Sequence, residues 1–256
     1  RGAIDLFLVL FTAPVALILV PWPSPALWAV LAGAIVVHFA YKMTVALAYE
    51  QAAYTVVYPV IRGTGPVVTV AFAALVFHEF FTPLQWLGVA CLSGGILMLA
   101  LRNLAEERVD LPALRRGLAW ALAGGGMVAL YTTYYAYGIR LAGDPFTFLA
   151  WWFFLTAFDF PVLALVRLRR RGLPPGGLGP LLRRGAAGAL IAWVSFGGVM
   201  LATRLDSVGE AAVLRETSTV FAALIGWFIL GERVGPRRLV LMALIALGAV
   251  IVELGA

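Results

Sequence analysis

The chain has 256 residues, of which 62% are hydrophobic and only 12% are charged. A soluble domain carries about 25% charged residues, so this composition excludes an ordinary soluble protein and indicates an integral membrane protein. The formal net charge is +6, but the arginines cluster at the ends of apolar runs. This pattern favours loop charges that set membrane topology and excludes nucleic acid as an expected partner.

Nine segments are long and apolar enough to be membrane helices, which need about 20 such residues each. The fold class expected is therefore an all-α integral membrane protein. The first apolar run lacks a basic leading region and a cleavage site, and is interpreted as a membrane helix rather than a secretory signal. The segments are 3–20, 25–48, 52–77, 83–102, 113–139, 145–168, 184–204, 208–230 and 236–254.

Positive charge is distributed very unevenly between the two faces that these segments define. One face receives only Arg140 and Arg204, whereas fourteen arginines fall on the other. Under the positive-inside rule the arginine-rich face is cytoplasmic, and the C-terminus then lies outside. The fourteen are Arg1, Arg102, Arg108, Arg115, Arg116, Arg167, Arg169, Arg170, Arg171, Arg183, Arg184, Arg233, Arg237 and Arg238.

An internal repeat relates two halves of the chain at an offset of 153 residues. The offset aligns "YPVIRGTGPVV" with "AAVLRETSTVF", so that Arg62 falls on Arg215. It also aligns Glu79 with Glu232. Helix 113–139 has no counterpart, and the simplest explanation is that one N-terminal helix is missing from the first half. Five helices per repeat would make the halves inverted across the membrane, an arrangement that transporters use to build alternating gates.

Two segments carry a resemblance to a known family. "LVFHEFFTPLQWLGVACLSGGILMLA" and "FILGERVGPRRLVLMALIALGAVIVEL" each join a helix, a Glu- and Pro-containing turn and a Gly-containing final helix. They resemble the EamA-type transporters of the drug/metabolite transporter superfamily. The resemblance implies ten helices in two inverted five-helix repeats, here residues 1–104, which lack the first helix, and residues 105–256. Family members are usually drawn with both termini cytoplasmic, which disagrees with the charge count.

Arg62 and Arg215 are the central candidates for a substrate site. Arg62 is near the middle of its predicted helix and therefore close to the membrane midplane. Arg215 lies roughly 12 Å from the start of its predicted helix. An unpaired arginine at this depth is costly, by roughly 3 kcal/mol on insertion scales. A planar guanidinium suits a carboxylate or a phosphate-like group of a substrate. The alternative is a permanent ion pair with Glu216 or Glu50, or contacts with helix carbonyls; we favour the substrate.

Acidic residues inside the segments are candidates for coupling or for charge balance. Glu216 adjoins Arg215 but points about 100° away around the helix, so the two are not expected to face each other. It could be the counter-ion of Arg62 or a proton-coupling carboxylate, and the sequence does not choose. Asp159 precedes Pro161 and more plausibly joins helices than couples an ion. Glu79 and Glu232 are expected to cap the N-terminus of the helix that follows each of them.

Further polar and aromatic residues are candidates for lining a substrate cavity. His38 and Lys42 are four residues apart and share one helix face, and function and structure are about equally favoured for this pair. Tyr131, Tyr134 and Tyr135 also share a face, where packing between helices is slightly favoured over cavity lining. Trp151 and Trp152 are expected in an interfacial aromatic belt.

The function expected is secondary active transport of a small organic anion or zwitterionic metabolite by alternating access. A lipid or lipid-carrier flippase on the same fold is the alternative. An intramembrane enzyme is remote, because the sequence has no HExxH motif, no Gly-flanked serine nucleophile and no acidic cluster. The single cysteine, Cys91, suggests no metal site, and no cofactor is expected. The richness in Arg, Ala, Gly, Val and Leu fits a GC-rich bacterial genome, so the location expected is a bacterial cytoplasmic membrane. Lipids and at most a second copy of the chain are the other partners expected.

Overall fold

The computed structural model describes residues 2–106, 111–172, 177–229 and 235–256. Every regular element in these ranges is helical, which confirms the all-α prediction. The helices are α1 (Gly2–Pro14, continued by a π-helical segment, Val15–Leu19), α2 (Pro25–Gln51), α3 (Tyr54–Phe77), α4 (Pro83–Glu106), α5 (Leu111–Leu141), α6 (Pro145–Thr156), α7 (Asp159–Arg171), α8 (Gly179–Leu205), α9 (Val208–Glu216), α10 (Ser218–Phe228) and α11 (Pro236–Leu254).

Six of the described helical stretches are long and apolar enough to cross a membrane. Their outward residues are apolar; Leu75 is 77% exposed and Ile191 is 68% exposed, as expected for side chains that face lipid. Helix α5, with 31 residues, is not among these six. The spans are Gly2–Leu19, Pro25–Gln51, Val56–Phe77, Pro83–Arg102, Pro145–Arg170 and Gly179–Leu205.

Two predicted segments are each divided into two helices. Segment 145–168 becomes α6 and α7, and segment 208–230 becomes α9 and α10 with Thr217 between them. The Thr217 hydroxyl donates to the Leu214 carbonyl at 2.6 Å, which satisfies a backbone group at the end of α9. The interruption therefore comes directly after Arg215 and Glu216. By contrast α3, where prolines and glycines surround Arg62, is continuous over 24 residues.

The chain forms two compact units, each assembled from separate stretches of sequence. The first unit contains Arg1–Phe39 and Tyr134–Arg204, and the second contains Ala40–Thr133 and Leu205–Ala256. In the first unit, α1 packs against α6 and α7. In the second unit, α4 packs against α3 and α11, and α9 packs against α3.

Two arginines at one end of the first unit cap each other's helices. Arg140, near the end of α5, donates its Nε to the Thr203 carbonyl at 2.9 Å. Arg204, near the end of α8, donates to the carbonyls of Ile139 and Ala142 at 2.6 and 2.7 Å. Cations stabilise the unpaired carbonyls at a helix C-terminus. The two arginines that stand apart in the charge count therefore have a structural role.

The core of the second unit depends on a close approach of α4 and α11. A Cβ atom on Gly88 would lie 2.6 Å from the Gly248 carbonyl oxygen, and one on Gly248 would lie 2.6 Å from that of Gly88. Only glycine allows this contact. The buried side chains around it are Val70, Val89, Leu92, Ile96, Val213, Ile245, Ala249 and Val252.

Glu79 caps a helix, but not the one expected. Its Oε2 accepts a hydrogen bond from the Val208 backbone N–H at 2.6 Å, at the start of α9 rather than of α4. The prediction of a capping role is confirmed, and the prediction that the capped helix follows in sequence was wrong. A carboxylate needs only an unpaired N–H near a helix N-terminus, and chain order does not decide which helix supplies it. Glu232 lies outside the described residues.

Candidate functional site

A charged cluster of three side chains lies inside the second unit. Arg62 is in α3, and Arg215 and Glu216 are the last two residues of α9. Arg62 Nη1 donates to Glu216 Oε1 at 3.0 Å, and Arg215 Nε donates to the same oxygen at 3.1 Å. Glu216 is fully buried, whereas the side chains of Arg62 and Arg215 are 23% and 9% exposed. The two arginines that the 153-residue offset aligns therefore contact one carboxylate oxygen.

Each arginine also has a tyrosine partner. Arg62 Nε donates to the Tyr58 hydroxyl at 3.0 Å, and the guanidinium carbon lies 5.2 Å from the centre of the Tyr58 ring. Arg215 Nη1 donates to the Tyr131 hydroxyl at 3.2 Å. The Tyr41 ring meets Tyr131 edge-on, with centroids 4.8 Å apart. Charge-assisted hydrogen bonds of this kind fix both guanidiniums in place.

Two atoms of the cluster have no hydrogen-bond partner among the described residues. They are Nη2 of Arg215 and Oε2 of Glu216, and both are buried. Buried polar atoms are nearly always paired, so these two atoms leave hydrogen-bonding capacity of the cluster unused. The cluster also carries two positive charges against one negative charge. Its chemistry therefore suits an additional anionic group.

The more exposed side of the cluster is that of Arg62. Tyr58 stacks on Tyr54 with ring centroids 5.0 Å apart, and Tyr54 is 60% exposed at the start of α3. Arg62 follows Tyr54 by eight residues, a depth of roughly 12 Å along the helix axis. Tyrosine rings thus extend from the exposed end of α3 to the first arginine.

Two sequence-based expectations about this cluster concern Glu216. Glu216 is the counter-ion of Arg62, one of the two alternatives that the sequence left open. The expectation that Arg215 and Glu216 do not face each other was wrong, because their side chains form a salt bridge. Helix angles describe where Cβ atoms point, and a long guanidinium can bend back to its neighbour. Glu50 is exposed near the end of α2 and makes no described salt bridge with either arginine.

Lys42 is a further buried cation of the second unit, with 7% of its surface exposed. It occurs in the half of α2 that belongs to this unit, as does Tyr41. Its burial is consistent with either of the two roles that the sequence proposed for it.

His38, Tyr134 and Tyr135 belong to the first unit. His38 Nδ1 lies 3.1 Å from the Tyr135 hydroxyl, and its ring meets Trp152 edge-on at 4.9 Å. The Tyr134 hydroxyl donates to the Val30 carbonyl at 3.1 Å. These contacts place His38 and Tyr135 in a packed aromatic core, which agrees with a structural role for this histidine.

Trp151 and Trp152 are each 2% exposed in the first unit. Trp152 stacks on Phe196 with an interplanar angle of 8°, and Trp151 meets Trp28 edge-on. The prediction of an interfacial belt was wrong for these two residues. Both lie in α6, packed against aromatic rings of neighbouring helices, where burial of large rings outweighs the preference of tryptophan for the membrane surface.

Asp159 is the first residue of α7 and its Oδ1 accepts from the Phe160 N–H at 2.7 Å. It is half-buried in the first unit. A carboxylate in the first turn of a helix stabilises that end through the helix dipole. The structure thus gives Asp159 a local role at the break between α6 and α7.

The sequence profile of the EamA-like transporter family matches residues 115–254, which is more than half of the chain. The chain belongs to the EamA-like transporter family. The matched range of this EamA-like transporter includes Tyr131, Arg215 and Glu216, whereas Arg62 and Lys42 precede it. The chain is therefore a multi-pass membrane transporter, as the sequence predicted.

Two further comparisons bear on this EamA-like transporter. One crystal structure of a protein superposes with a TM-score of 0.78 at 18% sequence identity, covering 100% of this chain and 88% of that chain. At this identity the similarity establishes the fold and not the substrate. A comparison with curated proteins finds no match at the level of sequence.

Tyr58 is a cluster residue that the sequence analysis did not identify. It precedes Arg62 by four residues, and residues at this spacing lie next to each other on a helix. The i, i+4 pairing of a tyrosine with an intramembrane arginine was the available signal.

Proposed function

We propose that this transporter moves a small organic anion or zwitterionic metabolite across the cytoplasmic membrane by alternating access, as a secondary active transporter and not as an enzyme. The observation that carries the proposal is the excess positive charge of the buried cluster, where two guanidiniums meet a single carboxylate. A buried charge is stable only when it is paired. An anionic group of the substrate supplies the missing pairing.

The unpaired Nη2 of Arg215 is the donor best suited to that anionic group. Arg62, with the more exposed side chain, is the arginine that the substrate meets first, after passing Tyr54 and Tyr58. Tyr131 completes the polar surroundings in the proposed site, and Lys42 is not assigned to the binding of the anionic group. Of the residues in the first unit, Tyr134 and the His38–Tyr135 pair support the helices around them, and Asp159 is not assigned to coupling.

The experiment is transport by the purified protein in proteoliposomes. A thermal-shift screen first identifies a stabilising compound among carboxylates, amino acids, phosphonates and organic cations. Uptake of the best compound is then compared between the parent and the variants Arg62→Gln and Arg215→Gln. We expect each variant to lose at least about tenfold in uptake, because one charge-assisted contact contributes about 1.5 to 3 kcal/mol.

Arg116→Gln is the matched control, since it makes the same chemical change at an exposed arginine of the second unit that bonds Gln51. We expect its uptake to equal that of the parent. Stabilisation by cations alone, or full uptake by both cluster variants, would refute the anion site. Transbilayer movement of a labelled anionic lipid with no uptake of any soluble anion would instead support the flippase alternative.

A further inference from the structure

The 153-residue offset aligns the two arginines of the cluster, but it aligns no second carboxylate with the one between them. At the offset that aligns Arg62 with Arg215, the position equivalent to Glu216 is Gly63. A Cβ atom on Gly63 would lie 2.8 Å from Leu97 Cγ and 3.3 Å from the Ser93 carbonyl oxygen. A glutamate therefore does not fit at the equivalent place in the first half. The asymmetry leaves two positive charges and a single negative charge in contact.

Glu216 uses one oxygen for both arginines. Its Oε1 accepts from Arg62 Nη1 and from Arg215 Nε, so one N–H donor of each arginine is occupied. Its Oε2 and Arg215 Nη2 have no partner among the described residues. Glu216 thus neutralises one of the two positive charges of the cluster and leaves the second positive charge for a ligand.

We infer that Glu216 sets the number of negative charges on the substrate group that the site accepts, and that this number is one. The inference rests on the proposed function and narrows it. A monoanion brings the buried cluster to neutrality. A dianion leaves an unpaired negative charge where Glu216 is fully buried, and an uncompensated buried charge is strongly unfavourable.

Removing the charge of Glu216 should reverse this preference. In Glu216→Gln the cluster carries two positive charges, and the N–H groups of Arg62 and Arg215 that bonded the carboxylate lose their charged acceptor. A dianion then balances the cluster and provides the additional acceptor oxygens. Glutamine keeps the size of the side chain and one carbonyl oxygen, so the change concerns mainly the charge.

The experiment measures binding to the purified full chain by calorimetry and by thermal shift at pH 8. The probes are a matched pair that differs by one charge on a single group, namely phenylphosphonate and its monomethyl ester. We expect the parent to bind the monoester at least about tenfold more tightly than the dianion, and Glu216→Gln to show the opposite order. The double variant Arg62→Gln/Glu216→Gln again has one positive charge, and its preference should return to the monoester.

Glu210→Gln is the matched control. Glu210 is a second buried carboxylate of α9, but it accepts from Gln85 Nε2 at 2.6 Å and contacts neither arginine in the described hydrogen bonds. This variant should keep the order of the parent. If the parent binds anions but Glu216→Gln and the double variant keep its order, the inference is wrong while the anion site stands. If no anion of either charge stabilises the parent, the proposed function fails and the inference fails with it.

Discussion

Arg62 and Arg215 are 153 residues apart in sequence and bond the same carboxylate oxygen of Glu216, at 3.0 and 3.1 Å. The sequence offset of 153 residues aligns the two arginines, and the second unit brings them to one point. Because the carboxylate belongs to only one half, the shared site is asymmetric in charge. This asymmetry is the basis of both the proposed function and the charge selection by Glu216.

Tyr131 should contribute to affinity through Arg215. In Tyr131→Phe, Arg215 Nη1 loses the hydroxyl that accepts its hydrogen bond at 3.2 Å. Losing a hydrogen bond to a charged group costs about 1.5 to 3 kcal/mol, so we expect roughly a tenfold or greater rise in the KM for transport. Tyr137→Phe, a change at a tyrosine that is 48% exposed in the same helix, is the control. An unchanged KM in Tyr131→Phe would show that Arg215 does not depend on this contact during transport.

His38 and Tyr135 should behave as a structural pair. The variants His38→Phe and Tyr135→Phe each remove one side of the 3.1 Å contact, and the double variant removes both. We expect the single changes in unfolding free energy to be non-additive by about 1 kcal/mol, measured by denaturation in detergent. Uptake per folded molecule should stay within about twofold of the parent. A loss of uptake at unchanged stability would move His38 into the substrate site.

Arg204 should stabilise the first unit. It donates to the carbonyls of Ile139, Ala142 and Gly143 around the end of α5, and Arg204→Gln removes most of these bonds. We expect the free energy of unfolding to fall by about 2 kcal/mol, because bonds from a charged group are about twice as strong as neutral ones. Arg183→Gln, at the other end of α8, is the control, and its stability should be close to that of the parent. Equal stability of the two variants would contradict the capping role.

The C-terminus should lie on the face opposite to the arginine-rich loops. Thr82 Oγ1 donates to the Gly255 carbonyl at 3.2 Å, so the C-terminus is at the same end of the second unit as the turn between α3 and α4. In the charge count this end has few basic residues, which predicts an external position. Alkaline phosphatase fused after Ala256 should be active in a bacterial host, and a fluorescent protein at the same place should stay dark. The reverse result would place the C-terminus in the cytoplasm, where the termini of family members are usually drawn.

The sequence was sufficient to predict much of the candidate site. An unpaired arginine in an apolar helix is costly in free energy, so Arg62 and Arg215 could be identified as candidates from their position in the sequence alone. The 153-residue offset then aligned one with the other. Glu216 could be named as a partner because of the same cost. Its simultaneous contact with both arginines could not, because it depends on where α9 ends and on how α3 packs beside it. Trp151 and Trp152 show the same limit, since their position in the sequence did not reveal that α6 is buried.

The sequence by itself determined that the chain is surrounded by lipid and that it belongs to the class of helical membrane proteins. Continuous apolar runs of about 20 residues satisfy their backbone groups in lipid by forming helices, so the length and composition of these runs indicate a helical membrane protein. Only the tertiary structure decided which polar residues meet. Glu79 capping α9, the reciprocal caps of Arg140 and Arg204, and the contact of Arg62 with Glu216 all join residues more than 60 positions apart. Such contacts depend on helix packing in three dimensions, which hydrophobic patterning along the chain does not specify.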